Sequence, residues 1–254
     1  MKKILLGENI VKSFGESVEK RNVLDGISVE INEGEFVSVM GPSGSGKSTL
    51  MYALSGMDHV DSGKVLFDGR ELSTLKENEL ADIRRTNMGF VFQQPTLLKN
   101  LNILDNIILP SMRDKRETAV KLTERARALM KKADILELEK RMITQASGGQ
   151  LQRVGICRAL MNNPKVIFGD EPTGALNSTS ANEIMSLLAA IHKSGTTIVL
   201  VTHDVKVAAK TERIVFLFDG KIAGEYLMEP YDGTGDSLRA REEALTAWLT
   251  DLNF

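Results

Sequence analysis

The stretch Gly41-Pro42-Ser43-Gly44-Ser45-Gly46-Lys47-Ser48-Thr49 decides the fold. It fits the pattern G-x-x-x-x-G-K-[ST] at every required position. The apolar run 36–40 precedes it and predicts a buried strand, and the run 49–54 follows it and predicts the first turns of a helix. Between a strand and a helix, the glycines let successive backbone N–H groups converge on an anion, and the helix N-terminus adds partial positive charge. The stretch therefore predicts a site for nucleotide phosphates.

We call residues 41–49 the phosphate loop, and all nine residues are candidate nucleotide contacts. Lys47 is expected to reach the β- and γ-phosphates and to contribute to catalysis by clamping their charge. The Ser48 hydroxyl is expected to ligate Mg²⁺. The alternative is a glycine-rich turn that merely connects strand to helix. The two flanking runs and the Lys-Ser pair argue against it.

Composition bounds the class of protein. With 254 residues, 26% charged and 42% apolar, the chain is long enough for one large domain or two small ones with a substantial core. A net charge of −2 gives no support for a nucleic-acid partner. No apolar run approaches the length of a membrane span, so we expect that the chain does not cross a bilayer by itself. The single cysteine, Cys157, excludes an internal disulfide and fits a reducing cytoplasm.

The order of apolar runs predicts an α/β fold. Runs at 4–11 and 23–31, joined by the polar stretch 15–22, and a run at 64–67 predict antiparallel strands beside a main sheet. Further strands alternate with helices, which predicts a mostly parallel main sheet. These strands are expected at 36–40, 89–92, 166–170, 197–201 and 213–218, and the helices at 72–85, 179–193 and 205–211.

Two regions depart from this alternation. Helical patterns dominate residues 94–163, where apolar residues between 117 and 135 recur at steps of three and four, so we expect a helical insertion. From Glu229 a linker rich in Pro, Gly and Asp leads to a last helix. We expect its apolar stripe to dock on the chain's own surface, the alternative being contact with a second subunit. The stripe is Leu238, Leu245, Trp248, Leu249 and Leu252.

Two carboxylates follow the buried run 166–168. Asp170 and Glu171 lie at the C-terminal end of that strand, where α/β sheets bind their ligands. Asp170 is expected to hold the hydration sphere of Mg²⁺, and Glu171, pointing the other way, to polarise the water that attacks the γ-phosphate. The alternative is a solvated pair of carboxylates at a strand end.

A second glycine cluster, Ser147-Gly148-Gly149-Gln150, is expected to begin a helix that Ser147 caps. Glycines at a helix N-terminus again predict an anion site. Because one nucleotide needs only one phosphate loop, the second cluster suggests two copies of the chain that share two nucleotides.

The ordered set of the phosphate loop, Gln93, residues 147–150, Asp170-Glu171 and His203 resembles the nucleotide-binding subunits of ABC transporters, over residues 1 to 225. Four stretches are most similar to a group that includes macrolide exporters, lipoprotein-release ATPases and bacitracin-type antimicrobial-peptide resistance transporters. They are GFVFQQ (89–94), ASGGQLQRV (146–154), DEPTGAL (170–176) and VTHD (201–204).

The resemblance implies a P-loop NTPase fold: a RecA-like parallel-sheet core, an antiparallel β subdomain and an inserted helical subdomain at about 94–163. The ATP-binding domain would then cover 1–228, and a linker and amphipathic helix 229–254. The family also implies roles for single residues. Phe14, which by itself suggests a core aromatic, would stack on adenine. Gln93 would contact Mg²⁺ and sense the membrane partner.

Further implied roles concern the γ-phosphate. The signature Ser147-Gly148-Gly149-Gln150 would close over the γ-phosphate bound to the opposite subunit, and Glu171 would be the catalytic base. His203 would contact the γ-phosphate as a switch; without the family it suggests a capping or packing residue. Two positions depart from the family. Ala146 replaces the usual Leu, and Asn177 replaces an Asp in the loop that couples the two sites, which puts cooperativity in doubt more than binding.

The expected function is an ATP- and Mg²⁺-dependent ATPase subunit that forms a head-to-tail dimer with a second copy and powers a separate integral-membrane permease. We expect it on the cytoplasmic side of the membrane, with export of an antimicrobial peptide, a macrolide-like compound or a lipoprotein as the work done. Two alternatives stay open: a regulatory ATPase that acts on a membrane sensor without transport, and a subunit that binds ATP without turnover.

Overall fold

A computed structural model describes residues 2–15, 21–113 and 117–252. The chain forms two compact units. The first comprises Met1–Leu80 and Thr197–Phe254, and the second Ala81–Thr196. Most of the polar stretch expected to join the first two strands, residues 16–20, lies outside the described residues.

Ten strands are described: β1 (Lys3–Phe14), β2 (Arg21–Asn32), β3 (Phe36–Met40), β4 (Ser62–Phe67), β5 (Arg70–Glu71), β6 (Met88–Phe92), β7 (Val166–Asp170), β8 (Thr197–Val201), β9 (Arg213–Phe218) and β10 (Lys221–Leu227). Eight α-helices are described: α1 (Lys47–Leu54), α2 (Glu77–Asn87), α3 (Ile103–Ile108), α4 (Ala119–Lys132), α5 (Gly148–Leu160), α6 (Ser178–Lys193), α7 (Val205–Ala208) and α8 (Gly235–Asp251).

Two sheets organise the first unit. One is antiparallel, in the order β2-β1-β4-β5, as the sequence predicts for the strands beside the main sheet. In the other, β3 lies between β8 and β9 and is parallel to both, while β10 pairs antiparallel with β9. Every residue of β3 and β8 is buried, which explains why both are almost entirely apolar, with Ser38 and Thr197 as the polar exceptions. In the second unit, β6 and β7 pair in parallel. The predicted α/β fold is confirmed.

Helices build the core of the second unit. Between residues 94 and 163, the regular elements in the described part of the chain are α3, α4, α5 and short 3₁₀ turns. On α4, Leu122, Ala126 and Met130 recur every four residues and enter one buried cluster with Ile103, Ile107 and Val154. The division of the chain at residues 80/81 and 196/197 places β6 and β7 in the same unit as these helices.

Two expected helices differ in extent. The helix expected at 72–85 is a 3₁₀ turn, Leu72–Thr74, followed by α2. The Thr74 hydroxyl donates to the Glu71 carbonyl, and the Glu79 carboxylate accepts the Lys76 N–H, so side chains compete with the backbone bonds of one continuous helix. The helix expected at 205–211 ends at Ala208.

The last helix docks on the chain itself. Leu245 and Leu249 of α8 are buried in a cluster with Met40, Ala208 and Phe216 of the first unit. This confirms the interpretation of the apolar stripe as an intramolecular contact. Of the helices in the described residues, none is both long and apolar enough to span a bilayer.

Candidate functional site

The phosphate loop connects β3 to α1, and its backbone requires glycine. Gly41, Gly44 and Gly46 have φ of +150°, +81° and +102°. A Cβ on Gly41 would lie 2.0 Å from the Leu217 carbonyl oxygen, and one on Gly46 would lie 2.7 Å from the Val23 carbonyl oxygen. The loop is therefore packed against neighbouring backbone at Gly41 and Gly46, and these two positions have no room for a side chain.

Donors gather at the end of the loop. Gly46 precedes α1 and has no side chain to cap it, and the helix N-terminus contributes partial positive charge at this point of the loop. The Lys47 ammonium donates to the Pro42 carbonyl, with an Nζ–O distance of 2.9 Å, which holds the cation against the loop. The Ser45 Oγ is buried and has no hydrogen-bond partner in the described part of the chain. A buried hydroxyl without a partner costs free energy unless a ligand completes it. These features fit a phosphate group.

His203 follows β8, the strand beside β3. Val39 pairs with Val201, so the phosphate loop and His203 leave the same end of two neighbouring parallel strands. The Thr202 N–H donates to the Val39 carbonyl at 3.1 Å, and the Asp204 carboxylate caps α7 by accepting the Lys206 N–H at 2.8 Å. Capping thus belongs to Asp204, and His203 itself is exposed. A purely capping or packing role for His203 is therefore disfavoured.

Phe14 ends β1 and is 49% exposed, so its interpretation as a core aromatic is wrong. The Lys12 ammonium lies 5.2 Å from the centroid of its ring and donates to the Asp58 carboxylate at 2.7 Å. Lys12 thus fixes the ring by a cation–π contact. Lys12 was not among the predicted site residues, although residues i and i+2 of a strand share a face and the spacing Lys-x-Phe indicated the contact.

The second unit carries Gln93, Asp170 and Glu171, three of the residues expected around Mg²⁺ and the attacking water. Phe92 pairs with Asp170 in register, so Gln93 and Glu171 follow neighbouring parallel strands at the same end. Glu171 has φ of +49°, the left-handed region, and its carbonyl accepts the Gly174 N–H at 3.0 Å. A Cβ on Gly174 would lie 2.9 Å from the Gln93 amide nitrogen, which places the Gln93 side chain against this turn. Backbone strain of this kind clusters at functional sites.

The signature begins α5 as predicted. The Ser147 N–H donates to the Gln150 side-chain oxygen at 2.9 Å, and the Gln150 N–H donates to the Ser147 hydroxyl at 3.3 Å. This capping box occupies the Gln150 side chain and leaves the backbone of Gly148 and Gly149 exposed or half-buried. Ala146 packs at the edge of the helical cluster. The signature is therefore a rigid helix N-terminus with room for an anion.

Asn177 caps α6, because its side-chain oxygen accepts the Ser180 N–H at 2.9 Å. An aspartate could make the same bond, so the departure from the family keeps the cap and removes only the charge.

Mg²⁺ fits the chemistry of the available side chains. In the described residues, no group of three or more His, Cys, Asp or Glu side chains is arranged to hold a metal by itself. Mg²⁺ usually keeps several waters and takes one or two carboxylates together with substrate phosphates. Ser48 in the first unit, and Gln93 and Asp170 in the second, each carry an oxygen of the kind that this mode of binding uses.

Comparison with known proteins identifies the family. The family model described as ABC transporter matches residues 24–174, which is more than half of the chain. The chain belongs to this family. The resemblance seen in the sequence is thereby confirmed.

Two curated relatives and one solved structure illustrate the likeness. The "Macrolide export ATP-binding/permease protein MacB" of Pasteurella multocida is 43% identical over 218 residues, which cover 86% of this chain and 33% of that protein. The chain thus spans about a third of the length of that relative. The "Bacitracin export ATP-binding protein BceA" of Halalkalibacterium halodurans is 41% identical over 86% of this chain and 87% of its own length. The ATP-binding cassette MJ0796, solved as a dimer in a post-hydrolysis state with ADP and Pi, superposes with a TM-score of 0.83 at 39% identity, over 89% of this chain and all of that one.

Proposed function

We propose that this chain is an ATP-hydrolysing subunit that forms a head-to-tail dimer and drives a separate membrane protein. The observation that carries the proposal is the phosphate loop. Its glycine backbone, its helix terminus without a side-chain cap and the tethered Lys47 form a preorganised anion cradle, together with the buried Ser45 hydroxyl, which has no hydrogen-bond partner among the described residues. Membership of the ABC transporter family and the ADP-bound relative support ATP as the nucleotide.

Nucleotide binding uses the first unit. The exposed Phe14 ring, steadied from one side by Lys12, stacks on the adenine base. The phosphate loop wraps the phosphates with its N–H groups, and Lys47 adds a positive charge that the Pro42 carbonyl holds near the loop before the nucleotide arrives. His203 contacts the γ-phosphate from the end of the neighbouring strand.

A second copy completes each site. The capped N-terminus of α5, with Ser147, Gly148 and Gly149, closes over the γ-phosphate held by the phosphate loop of the other copy. The dimeric form of MJ0796 supports this arrangement. Two nucleotides are then enclosed between two chains, and release of phosphate allows the dimer to reopen.

Hydrolysis requires a base and charge stabilisation. Glu171 accepts a proton from water while the water oxygen bonds to the γ-phosphorus and the bond to the bridging oxygen breaks, which leaves ADP and inorganic phosphate. Ser48 of the first unit and Asp170 and Gln93 of the second would be the ligands of Mg²⁺, which would supply positive charge against the phosphates. Fixed N–H groups and Lys47 stabilise the charge that develops in the transition state, and this electrostatic contribution is the largest part of the rate enhancement.

The work of the cycle is done on a membrane partner, with this chain at the cytoplasmic face. The names of the MacB and BceA relatives, macrolide and bacitracin export, support export of such compounds as the coupled process. Co-purification of the chain with its membrane partner, followed by ATP-dependent movement of candidate substrates in vesicles, tests this step. ATP turnover that is stimulated by the partner without movement of any substrate would instead support the regulatory function.

The exchange Glu171→Gln tests the chemistry. We expect it to lower ATPase turnover by at least about 100-fold, the usual contribution of a general base, while ATP-dependent dimers accumulate. Glu243→Gln on the exposed face of α8 is the control and should leave turnover unchanged. Unaltered turnover in Glu171→Gln would show that the assignment of the base is wrong.

Mixing two inactive variants tests the shared site. A Lys47→Ala chain keeps an intact signature, and a Ser147→Arg chain keeps an intact phosphate loop. In a head-to-tail heterodimer, one composite site is intact, so the mixture should regain ATPase activity that neither variant has alone. Failure to regain it while dimers form would contradict the shared site.

A further inference from the structure

Arg241, on α8, binds the main chain of the segment that follows His203. Its Nε donates to the Ala209 carbonyl at 2.6 Å and its Nη2 to the Thr211 carbonyl at 2.6 Å. Its Nη1 donates to the Glu229 carbonyl at 2.5 Å. Ala209 and Thr211 are completely buried. Buried carbonyl oxygens require donors, and only the planar guanidinium can supply several in a fixed geometry.

These carbonyls lie at the C-terminal end of the segment that carries His203 at its start. Asp204, the residue after His203, caps the N-terminus of α7. At the other end, the Thr211 hydroxyl lies 2.8 Å from the Ala208 carbonyl and 3.0 Å from the Ser38 hydroxyl of β3. The segment is thus held at one end by its own cap and at the other by Arg241, with a link to the strand that feeds the phosphate loop.

The helix that presents Arg241 is itself firmly seated. Leu245, one turn further on, is completely buried, and Leu249 packs into the same cluster with Ala208 and Ala209. The ring centroids of Trp248 and of Tyr226 on β10 lie 5.2 Å apart. This packing is apolar and does not depend on Arg241. Replacing Arg241 therefore removes its hydrogen bonds and leaves the packing of α8 in place.

We propose that α8 positions His203 for catalysis and that Arg241 is the positioning residue, acting through the carbonyls of Ala209 and Thr211. The inference rests on the proposed function, since His203 matters to turnover only if it contacts the γ-phosphate. It gives the C-terminal helix a role in the nucleotide cycle.

Arg241→Met keeps the aliphatic length and removes the donors. We expect kcat for ATP hydrolysis to fall between about 10- and 100-fold, the loss expected when a catalytic group is displaced by about 1 Å. KM for ATP should change less than about twofold, because the phosphate loop is unaltered. Arg241→Lys keeps the charge and restores part of the bonding, so it should lose less. Arg239→Met is the matched control, because Arg239 is exposed on the same helix and pairs with Glu243, and its kcat should equal that of the wild type.

Two further measurements separate positioning from general destabilisation. When Arg241→Met is added to His203→Ala, kcat should fall less than about twofold below that of His203→Ala alone, because both changes act on the same imidazole. In the ADP-bound protein, amide hydrogen exchange at residues 205–209 should speed up by at least about tenfold, while the amides of the phosphate loop keep their rates. If Arg241→Met does not fold, Arg241→Lys carries both measurements.

The outcomes separate this inference from the proposed function. A wild-type protein without ATPase activity overturns the proposed function and this inference with it. A fully active His203→Ala overturns the proposed role of His203 and this inference, while the ATPase function stands. An active wild type that needs His203, but shows equal losses from Arg241→Met in both backgrounds or unchanged exchange at 205–209, overturns the positioning role alone.

Discussion

Replacing single glycines of the phosphate loop tests the loop geometry without any nucleotide. Gly41 and Gly44 both have positive φ, +150° and +81°. They differ in their surroundings: a Cβ on Gly41 would lie 2.0 Å from the Leu217 carbonyl oxygen, whereas a Cβ on Gly44 would meet no atom of the described neighbouring residues within 4 Å. The pair Gly41→Ala and Gly44→Ala therefore separates backbone strain from steric collision.

The magnitudes follow from three contributions. An L-residue at positive φ costs about 1–2 kcal/mol, and alanine recovers about 0.4–1 kcal/mol by restricting the unfolded chain. Gly44→Ala should therefore lower the free energy of unfolding by about 1 kcal/mol. At Gly41 the collision with backbone adds about 1–3 kcal/mol, since the carbonyl cannot rotate away as a side chain would, for a total of about 3 kcal/mol.

Urea unfolding of the nucleotide-free protein measures both changes, and calorimetry checks them. For a chain of this size, about 1 kcal/mol corresponds to about 2–4 °C in Tm, so Gly41→Ala should unfold about 6–12 °C lower and Gly44→Ala about 2–4 °C lower. If the two variants are equally stable, Gly41 is not packed against Leu217, and the structural basis for the anion cradle is wrong.

Three shorter predictions concern other parts of the chain. Asn177→Ala should lower the free energy of unfolding by about 1 kcal/mol through loss of the α6 cap, whereas Asn177→Asp should stay within about 0.5 kcal/mol of the wild type. Urea unfolding measures both changes, and an Ala variant as stable as the wild type would exclude the cap. Burial raises the pKa of Cys157 to about 12, so alkylation at pH 8 should be at least about 100-fold slower in the folded protein than in urea, and rapid labelling would contradict the burial. The hydrogen bond from Arg127 lowers the pKa of Glu139 below its ordinary value of 4.5, so its stabilising contribution is present above that value and is lost as the pH falls through the lower folded value. Arg127→Met should flatten that part of the dependence of Tm on pH, and an unchanged curve would count against the ion pair.

The sequence predicted those parts of the fold whose structure depends on neighbouring residues in the chain, because such parts leave a local pattern that can be recognised. Strands β3, β7 and β8 are buried on both faces, so each is a short apolar run between polar or glycine residues. The start of α5 was visible because a serine followed three residues later by glutamine forms a capping box.

The parts that were missed depend on partners distant in the chain. Strand β10 alternates exposed and half-buried residues and is recognisable mainly by its pairing with β9. Two of the three contacts of Arg241 end on main-chain carbonyls some thirty residues earlier, and a carbonyl acceptor leaves no mark in the sequence. The end of α7 at Ala208 has the same origin, since the Thr211 hydroxyl and Arg241 take up the carbonyls that a longer helix would use.

Glu171 shows most clearly where local pattern fails. The alternation of side chains along a strand predicts that Asp170 and Glu171 point in opposite directions. That rule holds only while the backbone stays extended, and Glu171 has φ of +49°, which a non-glycine residue adopts at a cost of about 1–2 kcal/mol. The turn bond from the Gly174 N–H to the Glu171 carbonyl and the buried strand β7 before it hold this conformation. The direction in which the Glu171 side chain points is therefore set by the turn after the strand. Gly174 carries no reactive group, but its N–H helps to hold the backbone conformation that orients the proposed base.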